Sequence, residues 1–240
     1  PGKPYIARIG TAMVTARIAE LHHAINVNDY AQTPATDLPL NGIGAGNSPY
    51  ASSSAFAGNP LFIDLHELQR QGWLRSDEIE PEAGLLDDHV DYAAVQPFRM
   101  RRLALAAQRF FALPASDARQ QQFSEFCVRH SAWLDDHALF MALSETLPAT
   151  DWCGWPVALV QRDPAALDSA RRQHATRIGF WKFAQWCFFR QWQALRAYAN
   201  QRGVHIVGDV PIFIGHHSAE VWSNQALFEL GVDGRPRVVA

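Results

Sequence analysis

The sequence predicts an α/β fold, and three observations carry the prediction. Residues 203–213 contain Val204, Ile206 and Val207, a β-branched run apolar on both faces. Such a strand suits a parallel sheet covered by helices. A long aromatic helical pattern leads into it through Gly203, and a helix end favours a residue able to turn left-handed. Pro211 has no N–H to donate, so the ladder should end there and leave Asp209 where a strand meets a loop. That edge is where α/β folds, and (β/α)8 barrels above all, bind ligands. A loop Asp also commonly satisfies nearby backbone N–H groups, and position alone does not separate the two roles.

The chain has 240 residues, 48% of them hydrophobic and 19% charged, the composition of a soluble globular protein with room for one large or two small domains. A net charge of -3 gives no electrostatic reason to expect nucleic acid or an anionic membrane as partner. No apolar run approaches a membrane span. Cys127, Cys153 and Cys187 are far apart and form no C-x-x-C pair. Neither a disulfide framework nor a zinc site is expected, and a reducing cytoplasm is the expected compartment. No cofactor is indicated. Eight Trp and fourteen Phe are the unusual feature; such side chains fill cores and also stack on sugar rings, with core packing the commoner use.

Taken in order, residues 1–36 are weakly patterned. Val14, Ile18, Leu21 and Ile25 stand at helical spacing within residues 11–25. The three alternating glycines Gly42, Gly44 and Gly46 suggest a dinucleotide loop, but Asn47 stands where the third glycine of that fingerprint belongs. Pro49 and Ser52 to Ser54 continue a long polar loop that carries Tyr50, and loops of this length are often functional. Residues 61–65 read as a short apolar strand, residues 67–72 as a helical turn ended by glycine, and residues 76–91 as an acidic surface loop. Residues 97–147 read as helices, interrupted at Pro114 and restarted at an N-cap on Ser116 or Asp117. His130 and His137 are expected on one helix, seven residues apart and without the i+4 partner a zinc site needs. Asp163-Pro164 is an N-cap followed by proline at the first helical position. The helix after it, from Phe180 to Tyr198, is apolar nearly all round through Phe189 and should be buried among others. A turn is expected at Asp233-Gly234-Arg235-Pro236.

Three stretches together resemble glycoside hydrolase family 77, the amylomaltases or 4-α-glucanotransferases. The first is Asn47-Ser48-Pro49-Tyr50 with Ser54-Ala55-Phe56-Ala57-Gly58-Asn59-Pro60-Leu61. The second is Trp186-Cys187-Phe188-Phe189-Arg190-Gln191-Trp192. The third is Gly208-Asp209-Val210-Pro211-Ile212-Phe213 with Ser218-Ala219-Glu220-Val221-Trp222 and Asp233-Gly234-Arg235-Pro236. The resemblance covers about residues 37–240 and leaves 1–36 unmatched. It implies a partial (β/α)8 TIM barrel with a helical insertion around residues 97–160. It also implies transfer of α-1,4-glucan segments between maltooligosaccharides through a retaining double displacement, which uses two carboxyl groups. Tyr50 and Asp209 match residues that line the family's glucan cleft, and Ser48 and Asn47 are further candidates from the same loop. Ala45 stands where many members carry an aromatic residue.

The family's nucleophile lies in an Arg-x-Asp-His motif, and none occurs in this sequence. Asp88-His89 and Asp136-His137 lack the arginine. The resemblance therefore implies an N-terminal half whose catalytic groups lie further on, with no catalytic residue in these 240. A chain of that kind is expected to be silent alone. The alternatives are a non-catalytic glucan-binding remnant and a non-functional product of a damaged gene.

Overall fold

A computed structural model describes residues 52–82, 90–149, 151–208 and 214–237, together with the backbone of four short strands before residue 34. Tyr50, Asp209, Ser48 and Asn47 all lie outside the described residues. The described elements are β1 (Tyr5–Ile9), β2 (Ala12–Ala16), β3 (Ala24–Ile25) and β4 (Gln32–Thr33), followed by nine helices. These are α1 (Leu65–Arg70), α2 (Ser76–Ile79), α3 (Tyr92–Phe111), α4 (Ala118–Arg129), α5 (Ser131–Thr146), α6 (Val157–Val160), α7 (Pro164–Gln173), α8 (Ala175–Asn200) and α9 (Ala219–Ser223). Among them no helix is long and apolar enough to cross a membrane. The chain divides into two compact units: Pro1–Leu38 with Ala194–Val210, and Pro39–Gln193 with Pro211–Ala240.

In the first unit, β1 pairs antiparallel with β2 from Tyr5↔Ala16 to Ile9↔Ala12, and β3 pairs with β4. The helical spacing expected within residues 11–25 is overturned here. Only Gly10 and Thr11 separate β1 from β2, a Gly-x pair suited to a tight hairpin. The same unit holds the end of α8. Gly203 takes φ +71 and the Val204 N–H donates to Ala199 O at 3.0 Å, the left-handed helix end expected from the sequence. The buried strand expected next does not appear among its described residues. Residues 204–208 form no ladder, and Val204 and Val207 are 52% and 46% exposed. A strand apolar on both faces becomes a strand only when neighbours supply its hydrogen bonds and cover, and no described strand pairs with this segment. No parallel sheet occurs among the described residues, so the α/β expectation is replaced there by a mostly helical architecture.

The second unit is built on α8 up to Gln193. Trp73, in the turn between α1 and α2, packs edge-on against Phe110 of α3 at 5.2 Å and Phe183 of α8 at 5.5 Å. A second core gathers Leu139 and Phe140 of α5, Trp152, Trp155, Leu159 of α6 and Trp222 of α9. Two of its three indoles are anchored as well as buried. Trp152 Nε1–H donates to His216 O at 2.8 Å, and Trp222 Nε1–H donates to Leu159 O at 2.9 Å. Arg162 spans the same region, bonding Asp136 of α5 through Nη2 at 2.8 and 2.9 Å with its guanidinium 4.3 Å above the Trp222 ring.

Several boundaries follow from caps. Asp117 and Asp163 accept from the N–H groups of Arg119 and Ala166 at 2.9 Å, as expected. Asp91 does the same for Ala93, so α3 begins before the expected boundary at 97. Caps also remove the strand expected at 61–65. Asn59 accepts from the Leu61 N–H and Asp64 from the His66 N–H, making a 3-10 turn (Pro60–Phe62) and then α1. The helix expected to carry both histidines breaks at His130, which closes α4 and opens α5. Within 76–91, Ser76–Ile79 is a short helix rather than loop, tied down by the Arg109 guanidinium on both oxygens of Glu78.

The turn at Asp233-Gly234 forms as expected, with the Gly231 N–H donating to Arg235 O at 2.7 Å and Gly234 at φ +78. A Cβ on Gly234 would also stand 2.5 Å from the Trp152 ring. Gly234→Ala is expected to combine left-handed strain with overpacking, costing about 2–4 kcal/mol. Chemical denaturation checks it; a loss below about 1 kcal/mol would show that the turn relaxes freely.

Candidate functional site

The described part of the site is the loop 52–61, which directly follows the Asn47–Tyr50 run. A serine ladder shapes it. The Ser54 N–H donates to Ser52 Oγ at 3.2 Å, and Ser54 Oγ accepts from the N–H groups of Phe56 and Ala57, both at 3.1 Å. Both serines are buried. The Ser54 hydroxyl donates its own proton to Glu220 Oε1 at 2.6 Å. Beside it, the Ala219 N–H donates to Ser53 O at 2.9 Å. The loop is thus stitched to α9, whose N-terminus Ser218 caps by accepting from the Val221 N–H. Helix α9 follows the Gly208-to-Phe213 motif in sequence. Two stretches quoted for the resemblance, far apart in the chain, are therefore held together by direct hydrogen bonds.

The far end of the loop is clamped by α8. Gln185 accepts from the Gly58 N–H at 2.8 Å and donates to Gly58 O at 3.0 Å. The backbone must come close for this, and a Cβ on Gly58 would stand 2.0 Å from the Phe188 ring. Six residues on, Gln191 repeats the arrangement, accepting from the Asp64 N–H at 2.6 Å and donating to Asp64 O at 3.2 Å. Arg190 bonds both oxygens of Glu67 at 2.7 and 2.8 Å. The motif Trp186 to Trp192 accordingly serves as a seat for the segment 58–67.

Two titratable groups are buried in this architecture, Glu220 and His137. Burial pushes the Glu220 carboxyl up, opposed by the Ser54 hydrogen bond. Its Oε2 has no hydrogen-bond partner among the described residues. His137 of α5 is wholly buried, and desolvation alone lowers its pKa to about 4. Its ring lies edge-on to Trp181 at 6.2 Å and tilted to Trp133 at 5.9 Å. Among the described residues no group of three or more His, Cys, Asp or Glu is arranged to hold a metal. Cys127, Cys153 and Cys187 are free thiols, and burial pushes Cys127 up to about 11.

Ser54, Gly58, the neighbours of Gln185 and Glu220 stand in the family-like stretches, but the sequence alone assigns them no role. A glutamine inside an otherwise aromatic helix was the available signal for Gln185. A buried polar side chain is nearly always hydrogen-bonded. Nothing local marks Ser54 and Glu220 as partners, since 166 residues separate them.

Two outcomes are expected of this geometry. Ser54→Ala leaves the buried Glu220 carboxyl without its hydroxyl donor and two loop N–H groups without an acceptor, an expected loss of about 2–3 kcal/mol in denaturant melts. A loss under about 0.5 kcal/mol would show the stitch to be slack. For His137, the folded pKa lies below the unfolded value of 6.5, so the unfolded chain binds the extra proton. Its contribution is fully present above about pH 6.5 and is lost as pH falls toward 4, by about 3 kcal/mol in all. The pH dependence of stability should therefore flatten in His137→Phe relative to the parent across that window; parallel curves would contradict it.

Comparisons with known proteins complete the picture. The family model described as 4-alpha-glucanotransferase, glycoside hydrolase family 77, matches residues 13–235. The 4-alpha-glucanotransferase of Thermus thermophilus is 42% identical over 203 residues, covering 85% of this chain and 40% of that protein. The chloroplastic/amyloplastic 4-alpha-glucanotransferase of Arabidopsis thaliana is 36% identical over 205 residues, covering 85% of this chain and 35% of that protein. Among solved structures, an amylomaltase from Streptococcus agalactiae in complex with acarbose superposes with a TM-score of 0.79 at 32% identity, covering 84% of this chain and 40% of that one. The chain spans about 40% of the length of the bacterial relatives it matches. With the match running over residues 13–235, the chain belongs to glycoside hydrolase family 77, the 4-alpha-glucanotransferases.

Proposed function

We propose that the chain supplies the glucan-binding part of a 4-α-glucanotransferase built on a (β/α)8 barrel. In this reading Tyr50 stacks on a sugar ring, Asp209 accepts hydrogen bonds from sugar hydroxyls, and Ser48 and Asn47 contribute from the same loop. The substrates are maltooligosaccharides or other α-1,4-glucans, and the reaction is a retaining double displacement between two carboxyl groups. The observation that carries the proposal is the stitch between loop 52–61 and α9, by Ser54 to Glu220 and Ser53 to Ala219. It joins the segment that follows the Tyr50 loop in sequence to the helix that follows the Asp209 motif. The family match and the acarbose complex of the similar amylomaltase add support. A cytoplasmic setting belongs to the same reading and is consistent with three unpaired cysteines.

The chemical step is proposed to need groups that these 240 residues do not contain, because no Arg-x-Asp-His motif occurs among them. Incubation with maltotriose, followed by chromatography, is expected to yield neither glucose nor longer maltooligosaccharides. Calorimetry with acarbose is expected to show saturable binding, weakened about tenfold or more, roughly 1.4 kcal/mol, in Asp209→Asn and in Tyr50→Ala. Turnover would overturn the assignment of the catalytic groups to other residues. An absence of binding would overturn the glucan-binding reading.

A further inference from the structure

A groove of about 380 Å³ lies between loop 52–61, α5 and α9, within the roughly 300–1,000 Å³ usual for ligand pockets. Phe56 of the loop and Trp133 of α5 line it, with Glu220 and Ser223 of α9 and then Asn224 and Leu227. Phe56 is the side chain that calls for a reason, because so large an apolar ring is 49% exposed. It is not loosely held. Its N–H donates to Ser54 Oγ at 3.1 Å, and its ring centre lies 6.2 Å from that of Trp133 at a 31° tilt. An aromatic ring that is open to solvent and already fixed loses little freedom when a ligand covers it.

The lining decides the class of occupant. Among the described residues it contains no lysine or arginine to hold an anion. Its one ionisable side chain there, Glu220, is buried and bonded to Ser54, and no cluster of metal-ligating side chains occurs among the described residues. Asn224 is exposed and gives its amide N–H groups to Glu220 O and Ser223 Oγ, which leaves its amide oxygen without a partner among the described residues. Aromatic rings beside neutral hydrogen-bonding groups fit a ligand with an apolar C–H face and a rim of hydroxyls, which is the chemistry of a sugar. We propose that this groove is a subsite for α-1,4-glucan, with Phe56 as the stacking platform and Asn224 as acceptor for a sugar hydroxyl. The identity of the sugar rests on the glucan-binding reading above. Loop 52–61 and α9 both follow, in sequence, the motifs that carry that reading.

Calorimetry of the full chain with maltotriose tests the subsite. Phe56→Leu keeps an apolar side chain but loses the ring, and affinity should fall about tenfold or more. Phe56→Tyr keeps a stacking face and should bind as the parent does. Asn224→Ala, at an exposed position, should also weaken binding and decides the matter should Phe56→Leu fail to fold. A crystal of the full chain soaked in maltotriose should show a sugar ring against Phe56. Parent affinity in both Phe56→Leu and Asn224→Ala, with binding lost in Asp209→Asn, overturns the subsite and leaves the earlier reading standing. Loss in Phe56→Leu with parent affinity in Asp209→Asn supports the subsite and removes Asp209 from that reading. Equal loss in Phe56→Leu and Phe56→Tyr overturns the stacking role. No saturable binding by the parent overturns both readings.

Discussion

The described part of the second unit depends on covering α8 up to Gln193. Phe180, Trp181, Phe183, Trp186, Phe188 and Trp192 leave that stretch with no solvent-facing stripe, and all are buried. A helix apolar all round must be enclosed by neighbours. The turn at Trp73, α3, α4 and α5 provide that enclosure through aromatic contacts 5–6 Å apart. Once α8 is enclosed, the buried Gln185 has only protein to bond and takes both the N–H and the carbonyl of Gly58.

The position of the loop 52–61 follows from this. One end is held by Gln185 of a buried helix, the other by the hydroxyl of Ser54 on a buried carboxyl of α9. Hydrogen bonds in such surroundings are stronger than in water, and an unmade one is correspondingly costly. A loop fixed at both ends by buried polar bonds is a rigid platform rather than a flexible strap. Under the glucan-binding role proposed above, that rigidity spares the cost of ordering a mobile loop at the moment of binding.

Much of the local structure was legible from single residues. Asp117 and the Asp163-Pro164 pair announced helix starts because a cap acts within one turn of its own position. Gly203 and Gly234 announced left-handed turns because few other residues tolerate positive φ. The family motifs around Tyr50 and Asp209 were visible as ordered strings, though both residues lie outside the described set. The apolar run at 61–65 misled, because two caps outweighed the propensity of five side chains. Residues 11–25 misled because helical spacing and a hairpin's β-branched content coexisted there.

Sequence by itself determined the starts of α4 and α7, the turns at Gly203 and Gly234, the enclosed character of α8 and the family. Each of these rests on residues adjacent in the chain or on motif strings. Tertiary structure alone decided that Ser54 meets Glu220 across 166 residues and that Gln185 meets Gly58 across 127. It also decided that His137 lines a cavity beside loop 52–61, and that residues 204–208 stay without a ladder. The reason is common to all four. A strand's status, a buried polar pair and a cavity are properties of what packs alongside, and nothing within a few residues of the position encodes its neighbour.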